Sequence, residues 1–316
     1  MAKSISTTRA ASISRLQPLY LYLLVDSSGS MSEDGGFDSM NRTKATVVMD
    51  AAAEVLQEAY MMGLSGNTYK NYIYVSATGY QRYEDVAETH CLFNFKENTP
   101  SMVRNAAVLS ISDFIQCGDK QNPILIDPKG QTPMRAGFQK AKADILSFDE
   151  HCHELVTAAN PGMNVSADAV KPHVVILHCT DGRFDNCNGG AELNIHHENS
   201  PEKVIDEIKN LKFKHISEVT IVNLYLSSSE SEESIIFPSE NPDKGENPFL
   251  NFLYGISSEL TPGMIQAAAT YPEFGVLKPG AKALAYNIDS RDLYKLFSLG
   301  TQITRPSITA KNVTEN

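Results

Sequence analysis

Cysteine is scarce and irregular in this chain. The five residues (Cys91, Cys117, Cys152, Cys179 and Cys187) are odd in number and form no CxxC pair. Reduced thiols in a reducing compartment are therefore expected. His151-Cys152-His153, with Cys187, His196 and His197 further on, matches no zinc-finger or ribbon spacing. No run approaches the ~18 apolar residues that a membrane helix needs. The opening segment, MAKSISTTRAASISRLQ, lacks the continuous apolar core of a secretory signal. A cytoplasmic location is expected, with residues 1–17 as a loose tail. Basic residues are the minority: 27 Lys and Arg against 38 Asp and Glu, a net charge of −11. That balance argues against gripping nucleic acid or a membrane through a broad basic field. The GxxxxGK[ST] phosphate loop, the GxSxG elbow, HExxH and internal repeats are also absent.

Apolar residues make up 42% of the 316 and charged residues 21%, enough for a sizeable core. LYLYLLV at 19–25, HVVILHC at 173–179 and the centre of 218–226 are apolar on both faces, as central parallel strands covered by helices would be. Residues 71–77 and 283–288 are weaker strand candidates, and 90–95 reads as a partner of the strand before it. Helical spacing marks 43–60, 134–148, a segment opening at Ser200-Pro201, and 290–299, which Gly300 is expected to stop. Thr99-Pro100 and Thr261-Pro262 have the form of N-cap plus first-turn proline. Strands alternating with helices predict an α/β fold: a central, mostly parallel, Rossmann-like sheet with helices on both faces. One domain over 18–300 is expected, with insertions near 78–98, 151–171 and 228–258 and a C-terminal tail at 301–316. Residues 228–247 carry six acids and one lysine and read as a solvated loop outside the core.

Three segments carry candidate chemistry. VDSSGSMS follows the first strand and offers Asp26, Ser28 and Ser30, an acid and two hydroxyls at alternate positions around Gly29. Oxygen-only donors suit a hard cation such as Mg²⁺, and the carboxyl ends of strands are where open α/β sheets bind ligands. The same residues would also serve to cap the next helix. Thr132, in Lys129-Gly130-Gln131-Thr132-Pro133, is either a further oxygen donor or the cap of the 134–148 helix. Asp181, in Cys179-Thr180-Asp181-Gly182, is either a donor or a turn acid. Lys129 and Arg183 flank these segments, and Asp185 lies just beyond.

YLLVDSSGSM, GQTPMRAGFQKA and VVILHCTDGRFDN together resemble the von Willebrand factor A (vWA) family with its metal-ion-dependent adhesion site, and within it the cytoplasmic bacterial TerY-type branch. The likeness spans about residues 18–300. It implies a Mg²⁺ or Mn²⁺ ion contacted by Ser28 and Ser30, joined by Thr132, and held by Asp26 and Asp181 directly or through water. Gln131 departs from the pattern, standing where the family often has glycine. The resemblance implies a non-enzymatic module that binds a protein partner through a carboxylate completing the metal shell. By analogy the setting is bacterial or phage-linked stress or defence signalling, with a kinase, phosphatase or AAA+ ATPase as partner. The rival is a metal-dependent hydrolase or phosphotransferase using Asp26 and Asp181.

Overall fold

A computed structural model of the chain describes residues 13–34, 37–65, 68–119, 121–162, 166–182, 184, 200–227, 233–242 and 247–302. In the first half, β1 (Leu19–Asp26) leads to α1 (Lys44–Gly63), a small antiparallel pair β2 (Leu64–Ser65) and β3 (Thr68–Tyr69), and the hairpin of β4 (Ile73–Tyr83) and β5 (Val86–Cys91). A one-turn helix α2 (Ser101–Arg104), β6 (Leu109–Ser110) and α3 (Ile111–Cys117) precede the long α4 (Met134–Ala159). The second half contains β7 (His173–Thr180), α5 (Glu202–Asn210), β8 (Glu218–Leu226), β9 (Ile235–Ile236), α6 (Pro248–Ile256), α7 (Pro262–Ala268), β10 (Leu284–Ile288) and α8 (Ser290–Gln302).

The main sheet runs β5-β4-β1-β7-β8-β10-β9, and β6 also pairs with β4. Neighbours from β4 to β10 are parallel, while β5, β6 and β9 add antiparallel edges. The architecture is α/β and Rossmann-like, a mostly parallel sheet with helices on both faces. Strand alternation explains why β1 has no polar face. Leu19, Leu21, Leu23 and Val25 pack with Val48, Val55, Phe114 and Phe297 on one side; Tyr20, Tyr22 and Leu24 pack with Phe138, Ile145, Ile205 and Leu253 on the other. The two tyrosines bury their hydroxyls only because partners exist. Tyr20 shares a hydrogen bond with Ser76 at 2.8 Å, and Tyr22 donates to Asp144 at 2.9 Å.

Several sequence boundaries shift for visible reasons. The strand starting at residue 73 continues to Tyr83, and its partner is Val86–Cys91 rather than 90–95, because Glu84 and Asp85 both adopt positive φ and close a two-residue turn. The helix from Met134 runs 26 residues, through much of the stretch expected as an insertion from 151. Ile145, Phe148, Cys152 and Val156 keep its core face intact. The last helix passes Gly300 and ends at Gln302. The largest correction concerns 228–247. Residues 228–232 and 243–246 lie outside the described residues, but Ile235–Ile236 extend the sheet edge against β10. Phe237 is buried, its ring edge-to-face with Phe274 at 5.5 Å. Three apolar side chains outweigh the acidity of their flanks. Within the stretch expected as an insertion to 258, α6 buries Phe249, Leu250, Phe252, Leu253 and Ile256.

The docked segment generates a test. Phe237→Ala should lower unfolding stability by about 3 kcal/mol, the usual cost of emptying a buried aromatic site, as read by urea denaturation. Stability within about 0.5 kcal/mol of wild type, the range of ordinary surface changes, would return 233–242 to the status of a free loop.

Candidate metal centre

β1 and β7 are adjacent and parallel, with Val25 opposite Cys179, so the segments following them emerge side by side. Asp26 ends β1 and is 0% exposed. Its Oδ1 accepts the backbone N–H of Ser28 at 2.9 Å, and its Oδ2 accepts the Thr180 hydroxyl at 2.8 Å. Ser30 donates to Asp181 Oδ1 at 2.7 Å, which leaves Ser28 to donate to Ser30 at 3.2 Å. Asp181 Oδ2 takes the Lys44 ammonium at 2.7 Å. Hydrogen bonds thus bring Asp181 into contact with a turn 151 residues earlier in the chain.

The 129–132 loop is pinned to the same turn. Lys129 N–H donates to Ser27 O at 2.8 Å, Gly29 N–H donates to Gly130 O at 3.0 Å, and Gln131 exchanges two 3.0 Å backbone bonds with Arg82. Gly130 has φ +63°, and a Cβ there would stand 1.6 Å from the Arg82 carbonyl oxygen. Only glycine fits this position. Gln131, the departure from the resembled pattern, needs no such freedom because its neighbour supplies it. Thr132 does not cap α4: the cap position is Pro133, which makes no side-chain cap hydrogen bond. A Cβ on Gly182 would lie 3.2 Å from Thr132 Oγ1 and 3.9 Å from Asp26 Oδ2. The missing side chain of Gly182 therefore keeps a space open between these two oxygens.

Among the described residues, Asp26 has no compensating charge. Burial first, and the neighbouring Asp181 charge second, push its carboxyl from 3.8 up to about 7, against the pull of its hydrogen bonds to Ser28 and Thr180. Among the described residues no ammonium or guanidinium lies within ion-pair distance of it. Behind it, His178 is held neutral, its pKa lowered to about 4 by burial. Asn223 donates its amide to Ser257 at 2.8 Å, so its Oδ1 accepts from His178 Nδ1, and His178 Nε2 accepts the Tyr80 hydroxyl. The Cys179 thiol is fully buried and pushed far up by desolvation, which makes it inert.

The structure brings Asp26, Ser28, Ser30 and Asp181 into one linked cluster with Thr132 at its margin. Lys129 turns back onto Asp127 at 2.6 Å. Arg183, Asp185, Cys187, His196 and His197 lie outside the described residues. His151, Cys152 and His153 are consecutive on α4 and point apart, and among the described residues no group of three or more His, Cys, Asp or Glu forms a metal cluster. Sequence reasoning missed Lys44, whose signal was a cation at the first position of a helix, and Thr180, which stands in the third motif itself.

The donor set suits a hard divalent cation: two carboxylates and three hydroxyls, all oxygen, around an acid that has no counter-charge among the described residues. No family model matches the sequence, and no curated protein matches it. Solved structures do. The PilB minor pilin of Streptococcus sanguinis aligns over 91% of this chain and 61% of its own, at 14% identity and a TM-score of 0.43. The chain thus spans only 61% of that pilin's length. The manganese-loaded TRAP protein of Plasmodium vivax aligns over 91% and 74%, at 16% identity and 0.36. Proximal thread matrix protein 1 of the mussel byssus, with a zinc-occupied metal-ion-dependent adhesion site, aligns over 67% and 37%, at 15% and 0.32. At such identities and scores these likenesses assign no function, which must rest on this chain's own residues.

Two outcomes follow for the metal-free protein. Folded Asp26 keeps its proton up to about pH 7, whereas the unfolded residue releases it near 3.8. The folded state binds the extra proton between those values, so stability falls as pH rises through that window, by roughly 4 kcal/mol at most. Asp26→Asn should remove that slope in urea titrations run in EDTA; an unchanged slope would refute the isolation of Asp26. Thr132→Ala should leave metal-free thermal stability within about 0.5 kcal/mol of wild type because no cap is lost, whereas losing a true cap costs about 1 kcal/mol.

Proposed function

We propose that the chain is a non-enzymatic, cation-dependent protein-binding module of the vWA type. Ser28, Ser30 and Thr132 would supply hydroxyl donors to Mg²⁺ or Mn²⁺, and Asp26 and Asp181 its charge balance. The observation that supports this best is the buried Asp26 carboxyl, without an ion-pair partner among the described residues, set among hydroxyls at the carboxyl edge of a parallel sheet. A bound ion supplies Lewis-acid attraction for an acidic side chain of a partner. The chain's own residues supply the rest. Thr180 and the Ser28 amide fix both oxygens of Asp26, and the loop pinned by Gly130 presents Thr132.

Binding is favoured over catalysis by what surrounds the acids. Cys179 is sealed in the core and His178 is locked between Tyr80 and Asn223. Neither is poised as nucleophile or base. Ser28 stands where a D-x-D phosphotransferase would place a second acid. A partner that offers an acidic residue, with a kinase, phosphatase or AAA+ ATPase as the class, and the cytoplasmic stress or defence setting rest on the TerY-type resemblance of the three motifs alone.

Calorimetry on protein stripped of metal should show one Mn²⁺ bound per chain. Asp26→Ala should abolish the heat, and Ser28→Ala with Ser30→Ala should weaken it at least tenfold, with circular dichroism unchanged in each. Equal binding by wild type and Asp26→Ala would overturn the assignment.

A further inference from the structure

Lys44 has no role in the donor set, yet it reaches into it. It is the first residue of α1, where the helix dipole disfavours a cation. Its backbone is fixed there. Lys44 N–H donates to Glu33 O at 3.1 Å, and Thr43 caps the helix by accepting from Thr46 N–H. Its ammonium lies 2.7 Å from Asp181 Oδ2, with the Lys44 side chain 13% exposed and that of Asp181 0%. With Ser30 on the other oxygen, both oxygens of Asp181 are occupied by donors of the chain itself. Charge compensation in the cluster is therefore lopsided: Asp181 has a tethered cation, while Asp26 has none among the described residues.

We propose that Lys44 is a built-in counter-ion that competes with the divalent cation for Asp181 and so sets the metal affinity of the site. This deepens the metal-binding reading above and rests on it. In metal-free protein Lys44 offsets the repulsion between the two acids and holds the start of α1 against the end of β7. When an ion takes up its charge balance at Asp181, the lysine pairing weakens, and part of the ion's binding free energy is spent on replacing it. Lys44 also leaves a charge consequence. Two carboxylates and a divalent ion sum to zero, so the ammonium gives the loaded site a net positive charge, the sign that an acidic partner requires.

The test compares wild type, Lys44→Met and Lys44→Arg with Mn²⁺ itself as the probe. Lys44→Met should bind Mn²⁺ about tenfold more tightly by calorimetry, the factor expected when a moderate competing ion pair is removed. In EDTA its melting temperature should fall below wild type by several degrees, and saturating Mn²⁺ should close that gap. Lys44→Arg keeps the charge and should bind like wild type. If wild type binds Mn²⁺ and Lys44→Met binds no more tightly, the metal site stands and the counter-ion proposal falls. If wild type and Lys44→Met both fail to bind Mn²⁺, the metal-binding reading fails and the competition with it. A Lys44→Met protein that melts with wild type in EDTA would equally overturn the counter-ion role.

Discussion

Everything at the carboxyl edge of the sheet depends on one constraint: two aspartates held close together, one of them fully buried and, among the described residues, without a counter-charge. Burying a lone carboxylate costs several kcal/mol unless it is paired, hydrogen-bonded or protonated. Asp26 is hydrogen-bonded on both oxygens but has no ion-pair partner among the described residues, so its charged form is disfavoured and its proton affinity rises. Such a site is poised for a cation. The same penalty explains the density of donors around it, since each hydroxyl that supports the acids in the folded chain is also a ligand of the right type for a hard ion.

The sheet makes this arrangement possible. Because β1 and β7 are parallel neighbours, their carboxyl ends lie on one edge, and both strands are buried on both faces. The edge is thus the nearest place where polar side chains can reach solvent. The hydrogen-bonded chain from Tyr80 through His178 and Asn223 to Ser257 satisfies the polar atoms that lie just behind it. It ties the strand beneath Asp181 to α6, whose five buried apolar side chains anchor it in the second core. The acids therefore sit on a well-packed base, and the turn after β1, the 129–132 loop and the first turn of α1 are hydrogen-bonded around them.

Much of this was legible in the sequence, and the rest was hidden for physical reasons. The doubly apolar runs at 19–25 and 173–179 gave away the central strands, and the D-x-S-x-S and TDG segments marked the two strand ends. What a single chain cannot display is distance across the sheet. The choice for Thr132 between cap and donor was undecidable from spacing, and only the placement of Pro133 at the cap position of α4 resolves its cap role. The pairing of Lys44 could not be read from its helix position because its partner lies 137 residues away. The acidic flanks of 228–247 misled in the opposite direction. Net charge over twenty residues concealed three apolar side chains that suffice to add an edge strand and fill a pocket. Composition describes what a segment can tolerate around it, whereas burial is decided residue by residue.

The most direct measurement of the central claim is a crystal structure of the protein soaked in Mn²⁺, with data collected at the manganese absorption edge. The account predicts one anomalous peak at direct-coordination distance from Ser28 Oγ and Ser30 Oγ, between Asp26 and Asp181, with the Lys44 ammonium drawn away from Asp181. An empty carboxyl edge at saturating Mn²⁺, or a peak confined to another part of the molecule, would contradict it.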